Sequence, residues 1–115
     1  MVTTSDAIKS IRLLVRDETA TVWHDTADMM ARVNDARNML WTRRPVAFSL
    51  TYIVVDAPTA IASTATDLGV LEYYSQAIIF YAAYLLLAEG RREGDAASSG
   101  SMLEQFNIAL RGGRA

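Results

Sequence analysis

Hydrophobic residues recur at helical spacing in four separate stretches of the chain, each bounded by polar or small residues. The first stretch predicts a helix from Ser5 to Asp17. Ser5 is the expected N-cap, and Asp6 places a negative charge in the first turn, where it suits the helix dipole. The expected buried stripe of this helix consists of Ala7, Ile8, Ile11, Leu14 and Val15.

The second stretch predicts a helix that begins near Asp25 or Thr26 and carries arginines in its last turn, at Arg43 and Arg44. Pro45 ends it, because proline has no N–H to donate and restricts the residue before it. Its expected buried face consists of Met29, Val33, Ala36 and Leu40, flanked by Met30 and Trp41.

The segment from Pro45 to Thr66 has a different pattern. Phe48–Val55 is rich in β-branched and aromatic residues with partial alternation, which predicts a strand and a possible hairpin. Thr59–Thr66 is expected to be a second short strand or a loop. A lone hairpin is only marginally stable in water. We therefore expect residues 45–66 to project from the bundle and either to pair with another subunit or to lie at the lumen of an assembly.

The third stretch predicts a helix from Asp67 to Glu89 that is apolar nearly all round. So short a chain has few elements to cover it, and we expect neighbouring subunits to do so. Its apolar run, Ala77–Ala88, is shorter than the roughly 20 residues that span a membrane, which favours a core helix. The aromatic candidates for subunit contacts are Tyr73, Tyr74, Tyr81 and Tyr84 on this helix, with Phe48 and Tyr52 from the strand.

The C-terminal part begins with a charged and small-residue connector over 90–100. A last helix is expected from Ser99 or Ser101 to Leu110, with Met102, Leu103, Phe106 and Leu110 buried. Together these elements predict one domain over residues 1–115. The predicted fold class is mainly α, a four-helix bundle-like domain with a small β-strand or hairpin insertion between helices 2 and 3.

Composition supports a globular chain, because 51% of the residues are hydrophobic and 21% are charged. The formal net charge is -2 and the pI about 5.3, which gives no electrostatic footprint for DNA or for an anionic membrane. The N-terminus has no pattern of a secretory signal peptide.

Residues with catalytic chemistry are sparse. The chain has no cysteine and a single histidine, His24, whose neighbour Asp25 suggests a base–carboxylate pair but which is better explained as a surface residue before a helix cap. Asp25, Asp28 and Asp35 offer oxygen ligands to a hard cation, yet no loop of alternating ligands accompanies them. We expect no catalytic residues, no cofactor and no metal, and therefore not an enzyme.

Several short motifs resemble the small head-to-tail adaptor, or connector, proteins of tailed bacteriophages. The likeness covers about residues 7–45 and 70–110. It is carried by Ile11–Asp17, Val22–Asp28, the Val-Asn-Asp-Ala-Arg motif at 33–37, Arg44-Pro45, Tyr81–Gly90 and Phe106.

This resemblance implies a helix bundle with a β extension, assembled as a homo-oligomeric ring, commonly of twelve subunits. Its implied partners are the portal protein and a tail or nozzle protein, and its implied place is the neck of the virion, after assembly in the host cytoplasm. DNA would pass through the lumen without specific binding. We expect that passage to be acidic or neutral, because many lysines and arginines would grip the phosphates.

Within the matched motifs, Trp23 is expected to anchor the turn between the first two helices by burying its ring. Asn34 is expected to bond backbone in that turn, since a mid-helix asparagine otherwise costs helix stability. Pro45 closes the second helix.

The C-terminal arm, residues 111–115, is expected to dock onto the portal. Gly112 and Gly113 free the chain to leave the bundle, and Arg111 and Arg114 would supply the charged contacts. A solvated tail without a role is the competing interpretation.

Two other functions remain open from the sequence. A small helical nucleic-acid-binding regulatory protein is the main alternative, although the acidic pI and the lack of a basic recognition helix count against it. A small enzyme or toxin-like protein is disfavoured by the missing catalytic constellation.

Overall fold

The computed structural model describes residues 3–15, 26–48, 60–70, 74–89 and 95–111. Within these ranges the chain is mainly helical. Its four α-helices are α1 (Thr4–Val15), α2 (Thr26–Arg43), α3 (Ser75–Ala88) and α4 (Asp95–Ala109), with a short 3-10 helix at Pro45–Phe48. The extended pairing in the described part is one antiparallel bridge between Thr3 and Asp67. The predicted mainly α class with four helices is confirmed, whereas the hairpin insertion and the ring stay predictions.

Helix α1 begins one residue earlier than the sequence predicted, and Thr3 rather than Ser5 caps it. The Thr3 hydroxyl accepts a hydrogen bond from the Asp6 N–H at 3.2 Å, and the Asp6 carboxylate reaches back to within 3.5 Å of the Thr3 N–H. This reciprocal arrangement satisfies amide groups that have no partner inside the helix. The predicted stripe is confirmed, with Leu14 half-buried beside the four buried residues Ala7, Ile8, Ile11 and Val15.

Helix α2 has the buried face that its spacing predicted, formed by Met29, Val33, Ala36 and Leu40. After α2, the Arg44 N–H still makes a helical bond to Leu40 O at 2.7 Å. The Ala47 N–H then bonds to Arg44 O at 3.0 Å, which tightens the chain into the 3-10 helix. Phe48 therefore ends a 3-10 turn instead of starting a strand, which corrects the prediction at that residue.

Both ends of the segment predicted to project lie against the bundle. Ala47 is fully buried and Ile61 is 7% exposed, and both belong to the core. Residues 60–66 form a loop with a turn, which was one of the two predicted outcomes for that stretch. Residues 49–59, which contain the rest of the predicted strand, lie outside the described residues, and their projection stays a prediction.

Helix α3 starts at Ser75, so the predicted start at Asp67 is wrong. Asp67 pairs with Thr3, and Gly69 has a φ of 75°, a left-handed conformation that a right-handed helix does not contain. Thr66 and Asp67 look like caps in the sequence, but they belong to the preceding loop.

Helix α3 lies at the centre of the fold and packs against α1, α2 and α4, most extensively against α4. Its buried residues are Ser75, Ala77, Ile78, Ile79, Ala82, Ala83, Leu86 and Leu87. Helices of the same chain thus bury most of this apolar helix, so the premise that the chain has too few elements to cover it does not hold. Contact of α3 with neighbouring subunits stays a prediction. The large hydrophobic residues that are exposed in the described part are Leu13 and Ile108, on other helices.

Helix α4 begins at Asp95, earlier than predicted, and Gly100 lies inside it rather than in a connector. A Cβ added at Gly100 would meet nothing within 4 Å, so the helix continues through an open position. Phe106 and Leu110 are buried as predicted, and Met102 and Leu103 are half-buried against the core.

Candidate functional site

Residues 60–70, here called the anchored loop, are held to the start of α1 by three hydrogen bonds. Both the N–H and the hydroxyl of Thr4 donate to Thr66 O, at 2.8 and 2.7 Å. The Ser5 N–H donates to Thr64 O at 2.8 Å. The first N–H groups of a helix have no partner within it, and here the loop supplies the acceptors.

Asn34 ties the anchored loop to the middle of α2. Its side-chain oxygen accepts a hydrogen bond from the Ile61 N–H at 2.7 Å, and its side-chain nitrogen donates to Ile61 O at 3.0 Å. The amide group thus satisfies both backbone groups of one residue. The sequence predicted that Asn34 bonds backbone, and it does, but the partner is on the anchored loop and not in the turn between the first two helices.

Arg37 makes the second connection, one helical turn beyond Asn34. It is only 7% exposed, and its Nε donates to Leu68 O at 2.9 Å. Burial lowers the pKa of its guanidinium. The guanidinium carbon lies 5.9 Å from the centre of the Phe48 ring, within range of a cation–π contact.

Gly69 allows the Arg37 side chain to lie close to the backbone of the anchored loop. A Cβ at this position would lie 3.3 Å from the Arg37 Nη2, and the left-handed backbone disfavours any other residue. Thr4, Asn34 and Arg37, here called the scaffold cluster, direct their bonds to main-chain atoms of the anchored loop. The cluster can hold that loop in place, and its one hydroxyl, on Thr4, is buried and bonded to Thr66 O.

A shallow groove lies between α2 and α3, with a volume of about 300 Å³. It is lined by Asp35, Asn38, Met39, Thr42, Tyr81 and Leu85. Two of its polar groups are already bonded within α2. Asp35 forms an ion pair with Arg32 at 2.7 Å, and the Thr42 hydroxyl donates to Asn38 O at 2.9 Å. The groove is therefore lined by both polar and apolar side chains, and its carboxylate, Asp35, is already paired with Arg32.

Tyr81 forms the aromatic wall of this groove. Its ring centre lies 4.7 Å from that of Phe106 and 5.4 Å from that of Tyr84, with tilted planes. Burial raises the pKa of Tyr81, as do Tyr84 and Asp35 to a smaller extent, whereas Arg43 acts in the opposite direction. The phenol therefore stays protonated at neutral pH, where it can donate or accept a hydrogen bond.

No protein-family model, curated protein or solved structure matches this chain. Within the described ranges no group of three or more acidic or histidine side chains is placed to hold a metal ion. In the same part of the chain, every helix is too short or too polar to cross a membrane.

The aromatic residues predicted at subunit contacts do not share one environment. Tyr74 is 8% exposed and has little surface to offer a second subunit. Tyr81 and Tyr84 are half-buried next to each other, and Phe48 is half-buried near Arg37. Tyr73 and Tyr52 lie outside the described residues.

Of the arm predicted to contact the portal, Arg111 is exposed in the turn that follows α4, and its N–H bonds to Ile108 O at 3.1 Å. Gly112, Gly113 and Arg114 lie outside the described residues, as do Trp23 and His24. Pro45 begins the 3-10 helix directly after α2, which agrees with its predicted role in ending that helix.

The spacing of residues in α2 indicated that Arg37 is buried, although its charge suggests an exposed residue. Arg37 lies four residues after Val33, so it belongs to the buried face of α2, where a charged residue requires a partner. Thr4 had no comparable signal, because its acceptor, Thr66, is 62 residues away along the chain.

Proposed function

We propose that this protein is a structural adaptor of a tailed-phage neck that joins the portal ring to the tail and forms part of the DNA channel. It acts as a homo-oligomeric ring, commonly of twelve subunits, and not as an enzyme. The proposal rests on the resemblance over about residues 7–45 and 70–110. One structural observation supports it in particular, namely how the polar residues of the Val33–Arg37 motif are used.

Two polar side chains of that motif are bonded to main-chain atoms of the anchored loop. Asn34 binds both backbone groups of Ile61, and Arg37 binds Leu68 O. A residue that acts on a substrate must reach it, whereas Arg37 is buried and Asn34 is half-buried with its amide engaged. This use of the motif favours a scaffold that keeps a loop at a fixed position between other proteins.

The portal is the proposed partner of the C-terminal arm. Arg111 is exposed where α4 ends, and it precedes the glycine pair. Leu110 is 4% exposed and still belongs to the core, so the arm begins one residue after the packed part of the bundle. The forked guanidinium groups of Arg111 and Arg114 suit carboxylates on a partner surface.

The test is to mix the purified chain with the portal protein of the same virus and to examine the product by negative-stain microscopy and native mass spectrometry. We expect an added ring of this chain on the portal, with less of it bound for a deletion of residues 111–115. A chain that never binds the portal, at concentrations well above the micromolar range, would contradict the proposal.

A DNA gel shift at moderate salt separates this proposal from the regulatory alternative. The net charge of -2 is expected to give weak binding, so that DNA slides through the channel. Tight, salt-sensitive binding by the isolated chain would favour the nucleic-acid-binding regulator instead.

A further inference from the structure

Two helices present matching exposed patches. Leu13 on α1 is 62% exposed and Ile108 on α4 is 48% exposed. Each follows an exposed charged residue by four positions, Lys9 before Leu13 and Glu104 before Ile108. Residues four apart lie on the same helix face, with Cβ atoms about 5–6 Å apart. The α1 patch (Lys9 and Leu13) and the α4 patch (Glu104 and Ile108) thus have the same spacing and opposite charges.

We propose that the α1 patch of one copy of this chain binds the α4 patch of the next copy, with the two helices parallel. In that alignment Leu13 packs on Ile108 while Lys9 lies opposite Glu104. The order of charge and hydrophobic residue is the same on both helices, so only a parallel alignment brings both pairs together. This inference rests on the proposed function, since it names the contact by which the ring would assemble.

The surrounding residues are compatible with this register. Shifting α1 numbers by 95 gives the facing α4 position, so Asp6 faces Ser101 and Arg12 faces Asn107. Between residues 6 and 13 no like charges oppose each other, whereas one turn further the same shift sets Arg16, which lies outside the described residues, opposite Arg111. An exposed ion pair contributes little affinity, and the charges therefore select the partner and the register. The buried area comes from Leu13 and Ile108.

The contact would join two different surfaces of the chain. Leu13 and Ile108 are both exposed, so neither patch is covered by the other within one copy. α1 and α4 each pack against α3. When each copy uses its two patches for two different neighbours, the contact repeats head to tail, and it builds a ring where the rotation closes or a filament where it does not. A symmetric dimer would need both patches on one surface, so that the α1–α4 contact forms twice across the two-fold axis.

The experiment measures self-association by sedimentation velocity for the wild type, Lys9→Glu, Glu104→Lys and the double variant. We expect each single reversal to raise the dissociation constant by about threefold to tenfold, because like charges then oppose each other at the junction, and the double variant to restore it. An equimolar mixture of the two single variants should also assemble, because each junction then pairs opposite charges. Arg44→Glu, an exposed reversal outside both patches, is the matched control and should associate like the wild type.

Circular dichroism melting would show that all variants fold, and Leu13→Ser with Ile108→Ser should weaken association without unfolding. A double variant that stays dissociated would overturn the inference, since Lys9 and Glu104 would then not face each other. A wild type that assembles regardless of every reversal would also overturn it, while leaving the adaptor proposal intact. A wild-type chain that stays monomeric in isolation overturns this contact, and its portal binding would still test the adaptor role separately.

Discussion

Replacing Asn34 with alanine removes both hydrogen bonds that join Ile61 to α2. The bonds measure 2.7 and 3.0 Å, and they satisfy the two backbone groups of a residue that is only 7% exposed. The substitution leaves the other connections of the anchored loop in place, at Thr4 and Arg37. The substitution therefore measures how much the Asn34–Ile61 connection alone contributes to the free energy of unfolding.

The expected magnitude follows from two opposing contributions. A hydrogen bond in a folded protein contributes about 1 kcal/mol net, so the pair contributes about 2 kcal/mol to the free energy of unfolding. Alanine is the better helix former by about 0.6 kcal/mol, which offsets part of the loss. We expect a net destabilisation of about 1.5 kcal/mol, rising towards about 3 kcal/mol where water cannot reach the freed backbone groups of Ile61.

Urea denaturation measures the total effect, and amide hydrogen exchange localises it. The Ile61 N–H loses its acceptor, so its exchange should accelerate by roughly thirtyfold if about 2 kcal/mol of protection is lost. The Ser5 N–H, which donates to Thr64 O, should change much less and serves as the internal reference.

Asn38→Ala is the matched control. Asn38 lies one turn further along α2, is exposed, and its side chain has no hydrogen bond in the described part of the chain. Its replacement should stabilise the protein by about 0.6 kcal/mol through helix propensity alone. The two substitutions are thus expected to have opposite signs. An Asn34→Ala protein as stable as Asn38→Ala would refute the structural role assigned to Asn34.

Other predictions concern backbone strain, the arm and pH. Gly100→Ala should stabilise the protein by about 0.5–1 kcal/mol, because the position is helical and open, whereas Gly69→Ala should destabilise it by about 1–2 kcal/mol at its φ of 75°, both read from thermal melts. Deletion of residues 111–115 should leave the free energy of unfolding within about 0.5 kcal/mol, whereas Leu110→Ala should lower it by about 2 kcal/mol or more in urea titrations. The folded-state pKa of Tyr81 is raised, so its stabilising contribution is present below the unfolded tyrosine pKa and is lost as pH rises through the folded value. Tyr81→Phe should therefore lose less stability than the wild type in this alkaline range, as denaturation at several pH values would show.

Spacing alone predicted the parts of the fold in which one helix face packs on the core. The buried residues of α1 and α2 repeat every three or four positions, and the structure buries them. Such faces are fixed by burial of apolar area, which depends on local periodicity and hardly on the rest of the chain. This is why the order of the four α-helices in the described ranges could be predicted.

Helix starts were harder to predict, because they depend on partners distant in sequence. Thr66 and Asp67 have the chemistry of caps for α3, yet the chain continues through Gly69 in a left-handed conformation before the helix begins. Thr66 O instead accepts bonds from Thr4, and Asp67 pairs with Thr3. The same residue types serve both roles, and periodicity does not distinguish them.

The anchored loop illustrates the same limit for the candidate site. Asn34 could be identified as a residue in need of backbone partners, because an unpaired asparagine costs stability inside a helix. Its partner could not be identified, since the loop residue Ile61 carries no sequence mark of that contact. Arg37 was not identified as a buried residue, although its position four residues after Val33 placed it on the buried face of α2.

The hydrogen bonds between Thr4 and Thr66 have a consequence for the order in which the parts of the chain fold. The two residues are 62 positions apart, whereas α3 and α4 follow each other after a short connection. Closing the longer loop costs roughly 2 kcal/mol more chain entropy. We therefore expect the contact between α3 and α4 to form early and the first turn of α1 to bind its acceptors late. During synthesis α1 leaves the ribosome before residues 60–70, so the acceptors for its first N–H groups become available only later. Substitutions at Thr4 should consequently change the unfolding rate far more than the folding rate.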